Sequence, residues 1–337
     1  MKRHGVPQRE LEGSQETRAH SKAKMAAAYC IVGLVAIGVT LILDKTKYSA
    51  SHNAAAASTP AAASEDFGYQ LMAQTPELIG PDVPDSKLRY TGNRLSCVSC
   101  HVNAGDDPGA LNLFGVIQNY PKFSARSATI RTLEDRINEC MVRSMNGRPL
   151  PRNSPQIAAM ATWARAVAVR GALMNKSKRK AAEPLKFQAP DRSARVYAGK
   201  QIFEQRCATC HGYDGLGILV SASPIHGYIF PPVWGADSFN TGAGMHRLLT
   251  AAAFVKARMP LGRPDLTDDE AYDLAAYINV QPRPQMANLE ADFPDRRTKL
   301  IDAAYPPFID PFPLEQHLLG PFQPIEAYYK TLKSPSK

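Results

Sequence analysis

Two stretches, CVSCH at 97–101 and CATCH at 207–211, each pair two cysteines and follow them at once with histidine. C-x-x-C-H is the attachment signature of a c-type haem: each thiol forms a thioether to a haem vinyl, and the adjacent histidine becomes the proximal iron ligand. Cys97, Cys100, Cys207 and Cys210 are therefore the candidate attachment points of two covalently bound haem c groups, with His101 and His211 as candidate proximal ligands. A zinc site or a redox dithiol uses similar spacings. Two copies, each with an iron-ligating sulfur downstream, favour haem.

Downstream of the second motif, Met259 stands before Pro260. A thioether there stabilises ferrous iron and raises the potential, as an electron relay requires. Lys256 is the nearest rival donor, while Arg258 keeps its proton and cannot ligate. Downstream of the first motif, TLEDRINECMVRSMNG (132–147) reads as a helix opened by Thr132 and closed by Gly147. At about 100° per residue with Cys140 at zero, Arg136 and Arg143 fall near about −40° and −60°, and Ile137 and Met141 near about +60° and +100°. Cys140 thus lies on the seam between a basic flank and an apolar one, as a thiolate facing both a haem and an anion-binding patch would. The alternative is an inert buried Cys140, with Met145 as the first haem's ligand.

These residues need elements to hold them, and the predicted class is mostly α. Ser154–Pro155 opens a helix that stops at Gly171, Ser193 caps the helix leading into CATCH, and Thr267 with Glu270 forms a capping box. Gly199 and Phe203 share one helix face, where a glycine permits a close helix crossing, with Tyr277 as the expected partner. The expected architecture is two cytochrome c domains in tandem, each binding one covalent haem, preceded by one N-terminal transmembrane helix. Residues 1–24 are basic. MAAAYCIVGLVAIGVTLIL (25–43) runs 19 residues without a charge, enough to span a bilayer. Residues 44–65 form an Ala/Ser-rich tether, 66–172 the first domain, 173–192 a basic linker and 193–281 the second domain. The Pro-rich tail, 282–337, is expected to wrap the domains in extended form.

At 337 residues the chain can hold two ordinary domains, and a mean hydropathy of −0.28 excludes a polytopic membrane protein. The net charge of +9 does not indicate nucleic acid. No basic run is interleaved with aromatics, and two haems bring four propionates.

The second domain resembles a class I cytochrome c throughout. The stretch TGNRLSCVSCHVNAG, with YPKFSARSATIRTLEDRINECMVRSMNGRPLPRNSPQIAAM, resembles the thiosulfate dehydrogenase/tetrathionate reductase family of dihaem cytochromes c. The likeness continues through the second domain into QHLLGPF, covering most of residues 66–325, and R-I-N-x-C is shared with sulfur-oxidising Sox cytochromes. The resemblance implies Cys140 as distal ligand of a catalytic first haem, Met259 as ligand of an electron-transfer haem, and thiosulfate/tetrathionate as substrate and product in either direction. Joining two dianions needs cations, and Arg126, Arg136 and Arg143 are the candidates. In the expected route Cys140 loosens from the iron, takes up one thiosulfate as a covalent sulfur adduct and yields it to a second, while electrons pass to an acceptor such as a soluble cytochrome c or a membrane oxidase. The expected location is the inner membrane, single-pass, with the globular part in the periplasm. A tethered electron carrier with no substrate, or a Sox-like subunit conjugating thiosulfate to a partner's thiol, is the alternative.

Overall fold

Seven helices of eight or more residues carry the architecture of the computed structural model, which describes residues 64–109, 111–175, 177 and 187–333. They are α1 (Glu65–Ala73), α2 (Leu133–Arg143), α3 (Pro155–Leu173), α4 (Val196–Arg206), α5 (Leu248–Arg258), α6 (Asp268–Asn279) and α7 (Gln323–Lys333). Two small antiparallel hairpins complete the fold, Lys122–Ser124 with Thr129–Arg131 and Ile218–Leu219 with Tyr228–Phe230. The predicted span 25–43, residues 1–24, nearly all of the tether and half of the basic linker lie outside the described residues. Among the described residues no helix is long and apolar enough to cross a membrane.

The two halves repeat one packing solution: an opening helix crosses a closing helix at a glycine. In the second half α4 crosses α6 at Gly199, where a Cβ would meet the Asp273 carbonyl oxygen at 2.0 Å and the Tyr277 Cβ at 2.9 Å. Phe203, fully buried on the same face, packs against Trp234 and Tyr277 with ring centroids 4.7 and 5.7 Å away. In the first half α1 crosses α3 at Gly68, against the Ala159 carbonyl and Trp163. Gly199→Ala is expected to destabilise the fold by about 1–3 kcal/mol, because backbone cannot yield as a flexible side chain does. A lowered thermal midpoint would show it, and an unchanged one would contradict the crossing.

Local signals set the helix ends. Thr132 accepts from Asp135 N while Asp135 accepts from Thr132 N, closing a capping box on α2, and Thr267 with Glu270 does the same on α6. Three expectations are corrected. Ser193 does not cap α4, whose N-cap is Arg195 without a side-chain bond. Its hydroxyl instead donates to the Gly320 carbonyl, 2.8 Å away, and Asp273 accepts from the Arg195 backbone N–H. α3 continues past Gly171 to Leu173, because Gly171 lies packed against Phe114 instead of capping the helix. The tail is not extended throughout: it ends in Leu314–Leu319 and α7. Pro313 and Pro324 stand at helix starts, where the missing N–H is not needed.

The segment 237–242 of the second half lies along the C-terminal end of α2. Asn93 Nδ2 donates to both Ser144 O and Ser238 O, and Asn240 Nδ2 to Val142 O and Asn146 Oδ1. Arg94 pairs with Asp82 and Asp237. These bonds fix α2, and Cys140 with it, against the second half.

Candidate functional site

α2 presents Cys140 toward the CVSCH loop. His101 Nδ1 lies 2.7 Å from the Leu111 carbonyl oxygen. A carbonyl only accepts, so Nδ1 donates and Nε2 keeps its lone pair for a metal. The Cys140 sulfur lies close enough to that ring for His101 to act on its ionisation. Burial pushes the Cys140 thiol up, but Arg136 beside it and His101 outweigh burial and bring it down to about 7. Burial drives Cys97 up to about 11 and Cys100 up to about 12. Thiols so reluctant to ionise do not suit a redox dithiol, whose attacking sulfur must be a thiolate. All four motif cysteines are free of disulfides. Met145 is buried in the apolar cluster of Leu71, Ile79, Met141 and Leu150.

The second motif has the same logic. His211 Nδ1 lies 2.8 Å from the Pro231 carbonyl oxygen, so its Nε2 is also available. Pro231 therefore orients the His211 ring. Met259 ends α5 and packs in the cluster of Phe203, Trp234, Val255 and Leu266 that also holds Cys207. The rival Lys256 is engaged elsewhere, donating to the Leu266 carbonyl at 2.6 Å and pairing with Asp268. Arg258 binds Asp107, tying the second half to the first. The donor sets fit two c-type haems.

Arg136, Glu139, Arg143 and Ser144, the neighbours of Cys140 along α2 and just past its end, line a cavity of about 290 Å³. Lys122, Arg126, Arg131, Arg136, Arg143 and Arg247 line it, with Glu139 the one acidic side chain among the described lining residues, beside Tyr120, Ser124, Ser144, Gly244 and Thr250. Strand register explains part of this wall: Lys122 and Ser124 alternate onto one face of the hairpin, and Lys122 pairs in register with Arg131. Arg136 is 46% exposed and sits 3.4 Å from Glu139. The proximity of Cys140 raises the Arg136 pKa and outweighs burial, which lowers it.

Arg143 is buried. Its Nη2 pairs with Asp292 at 2.7 Å and its Nη1 donates to Gly242 O at 3.0 Å. Arg126 shares both partners, 3.9 Å from Asp292 and 3.5 Å from Gly242 O. Burial and then the neighbouring Arg143 lower the Arg126 pKa. Tyr305 donates to Asp292 at 2.6 Å, and Arg247 is held by the fully buried Asp302 at 2.5 Å. The structure thus brings all three predicted arginines to one cavity and adds Lys122, Arg131 and Arg247. Lys122 and Arg131 stand in the same stretch as the predicted residues, where strand alternation could have found them. Arg247, Asp292 and Asp302 had no local signal.

Residues 89–173 match the family described as the SoxA/TsdA cytochrome c domain, and residues 194–278 match that described as cytochrome C oxidase, cbb3-type, subunit III. A thiosulfate dehydrogenase of Allochromatium vinosum is 35% identical over 281 residues, covering 80% of this chain and 96% of that protein. One of Stutzerimonas stutzeri is 36% identical over 218 residues, covering 64% of this chain and 69% of that protein. The chain belongs to the thiosulfate dehydrogenase family. A solved structure titled thiosulfate dehydrogenase (TsdBA) from Marichromatium purpuratum superposes with a TM-score of 0.59 at 30% identity. The match covers 70% of this chain and 49% of that one, so this chain spans about half its length. As a thiosulfate dehydrogenase family member, the chain is an enzyme with two cytochrome c domains in tandem and two covalent c-type haems.

Proposed function

We propose that this chain oxidises two thiosulfates to tetrathionate at Cys140. The observation that carries the reading is that the Cys140 sulfur feels both His101 and Arg136, and that Arg136 is one of six cations walling a single cavity. Two dianions brought to about 4 Å repel by about 4 kcal/mol even at water's dielectric, and by more in a cavity. Lys122, Arg126, Arg131, Arg136, Arg143 and Arg247 offset that repulsion before any sulfur–sulfur bond forms.

Cys97, Cys100 and His101, and Cys207, Cys210 and His211, would hold two haems, with Cys140 and Met259 as further sulfur donors, and those haems would supply the two one-electron acceptors that the reaction needs. Arg136 holds Cys140 near its thiolate form. The Cys140 sulfur bonds to the outer sulfur of one thiosulfate, giving a cysteinyl thiosulfonate and releasing two electrons. A second thiosulfate attacks that outer sulfur, the bond to Cys140 breaks, and tetrathionate leaves with Cys140 restored as thiolate. Charge and atoms balance: two thiosulfate dianions become one tetrathionate dianion and two electrons. A substrate-free electron carrier has no use for this cationic cavity.

Steady-state oxidation of thiosulfate by the holoenzyme with an artificial acceptor tests the reading. Arg136→Gln removes a charge-assisted contact worth about 1.5–3 kcal/mol, so KM is expected to rise at least about tenfold with both haems retained. An unchanged KM would remove Arg136 from the site, and a wild-type holoenzyme inert to thiosulfate would leave the carrier. Residues 25–43 are proposed as the inner-membrane anchor, with the globular part periplasmic and a soluble cytochrome c or membrane oxidase as acceptor. The full chain should stay with membranes after alkaline extraction, and a chain lacking residues 1–43 should not. Recovery of both in the soluble fraction would refute the anchor.

A further inference from the structure

A second cavity, of about 410 Å³, lies between the C-terminal end of α6 and the tail. None of the haem-attaching or axial residues lines it. Thr241, His246, Asn279, Arg283, Gln285 and Asp302 do. Arg283 is the unusual member. It is 7% exposed, its cation lies 4.3 Å from the Phe239 ring centroid, and its Nη2 donates to Ile278 O at 2.6 Å. Its Nε and Nη1 have no partner among the described residues, nor do Oδ1 and Nδ2 of the neighbouring Asn279, all four atoms being buried.

A buried guanidinium is normally compensated by a carboxylate. The carboxylate on this cavity, Asp302, is already taken by Arg247 and by the Leu249 backbone N–H. His246 adds no charge: burial, and then Arg283, lower it to about 4. Burial alone lowers Arg283 to about 10, with no acid raising it. The cavity is therefore positive, and it holds donors with nothing to receive them.

We propose that this cavity is a second anion site, separate from the one at Cys140, in which Arg283 and Asn279 hold a carboxylate- or sulfonate-like group. The chemistry is shared by two sources, a propionate of the second haem and a small oxyanion from solution. No residue lines both cavities, although Asp302 of this one holds Arg247 of the other.

Holoenzyme and its Arg283→Gln variant, each with sulfate as a non-reacting probe at constant ionic strength, test the proposal. Two readouts are taken: the thermal midpoint against sulfate concentration, and the midpoint potentials of the two haems. A dissolved oxyanion gives a saturable rise in the thermal midpoint of the wild type that is lost, wholly or in part, in Arg283→Gln. A haem propionate gives no such loss, but Arg283→Gln then lowers the potential of the second haem and leaves the first unchanged. If the variant alters neither the sulfate response nor either potential, the proposal is overturned. Should Arg283→Gln not accumulate as holoenzyme, Asn279→Ala, which leaves the cation in place, is read on the same two measurements, with the same outcomes expected at smaller amplitude.

Discussion

Cys140→Ser abolishes thiosulfate-dependent haem reduction, by roughly 10⁴-fold or more, while both haems stay covalently attached. Serine fills nearly the same volume and leaves Cys97, Cys100, Cys207 and Cys210 untouched, so attachment should survive. The hydroxyl cannot form the sulfur–sulfur bond on which the turnover rests. It also stays protonated, where Arg136 and His101 hold the thiol at about 7. Haem content per chain and the rate of haem reduction on mixing with thiosulfate, measured together, read both halves of the prediction. Full activity in the serine variant would remove Cys140 from the chemistry. Met145→Leu is the paired control: Met145 is 4% exposed among apolar side chains, and a volume-conserving swap there should cost under about 1.5 kcal/mol and spare turnover.

Asp292→Ala should be the most damaging single change in the tail, costing about 3–5 kcal/mol of stability. Asp292 accepts from Arg143 and Tyr305 and lies 3.9 Å from Arg126, and it is itself 8% exposed. Without it the buried Arg143 guanidinium keeps only the Gly242 carbonyl, and an uncompensated buried charge costs far more than a surface one. For a chain of this size that corresponds to a fall of roughly 10 °C in the thermal midpoint. The same loss frees Arg126 and Arg143 from their places on the Cys140 cavity, so KM for thiosulfate should rise as well. In a double-mutant cycle with Arg143→Ala, the two losses should fall well short of additive. Strict additivity would mean the pair does not act as a unit.

The start and the faces of the chemistry-bearing helix were legible in advance because their information is local, whereas its end was misplaced: it stops at Arg143, four residues before the expected Gly147. Thr132 and Asp135 close their capping box over three residues, and the seam at Cys140 follows from the helical period alone. The same holds for Gly199, whose place opposite Phe203 on one face anticipates the close crossing with α6. Ser193 misled for the converse reason. A serine before a helix is a cap only if nothing better competes for its hydroxyl, and here the Gly320 carbonyl, brought in by the tail, does. The prolines of the tail misled similarly: they bar the interior of a helix but not its first turn, where Pro324 sits.

By itself, then, the sequence pointed to where two haems would attach, to the sulfur that stands on the charged edge of α2, and to the helix that closes each half and the one that opens the second, but not to α1, which opens the first. Those properties live in spacings of a few residues, set by bond geometry and by hydrogen bonds three or four positions apart. Only the tertiary structure decided the charge of the cavity and what holds it in place. Arg247 comes from the second half, and Asp292 reaches Arg143 across 149 residues of chain. Such partners meet only after folding has brought distant segments together, and no local periodicity encodes which carboxylate will be left to face which guanidinium.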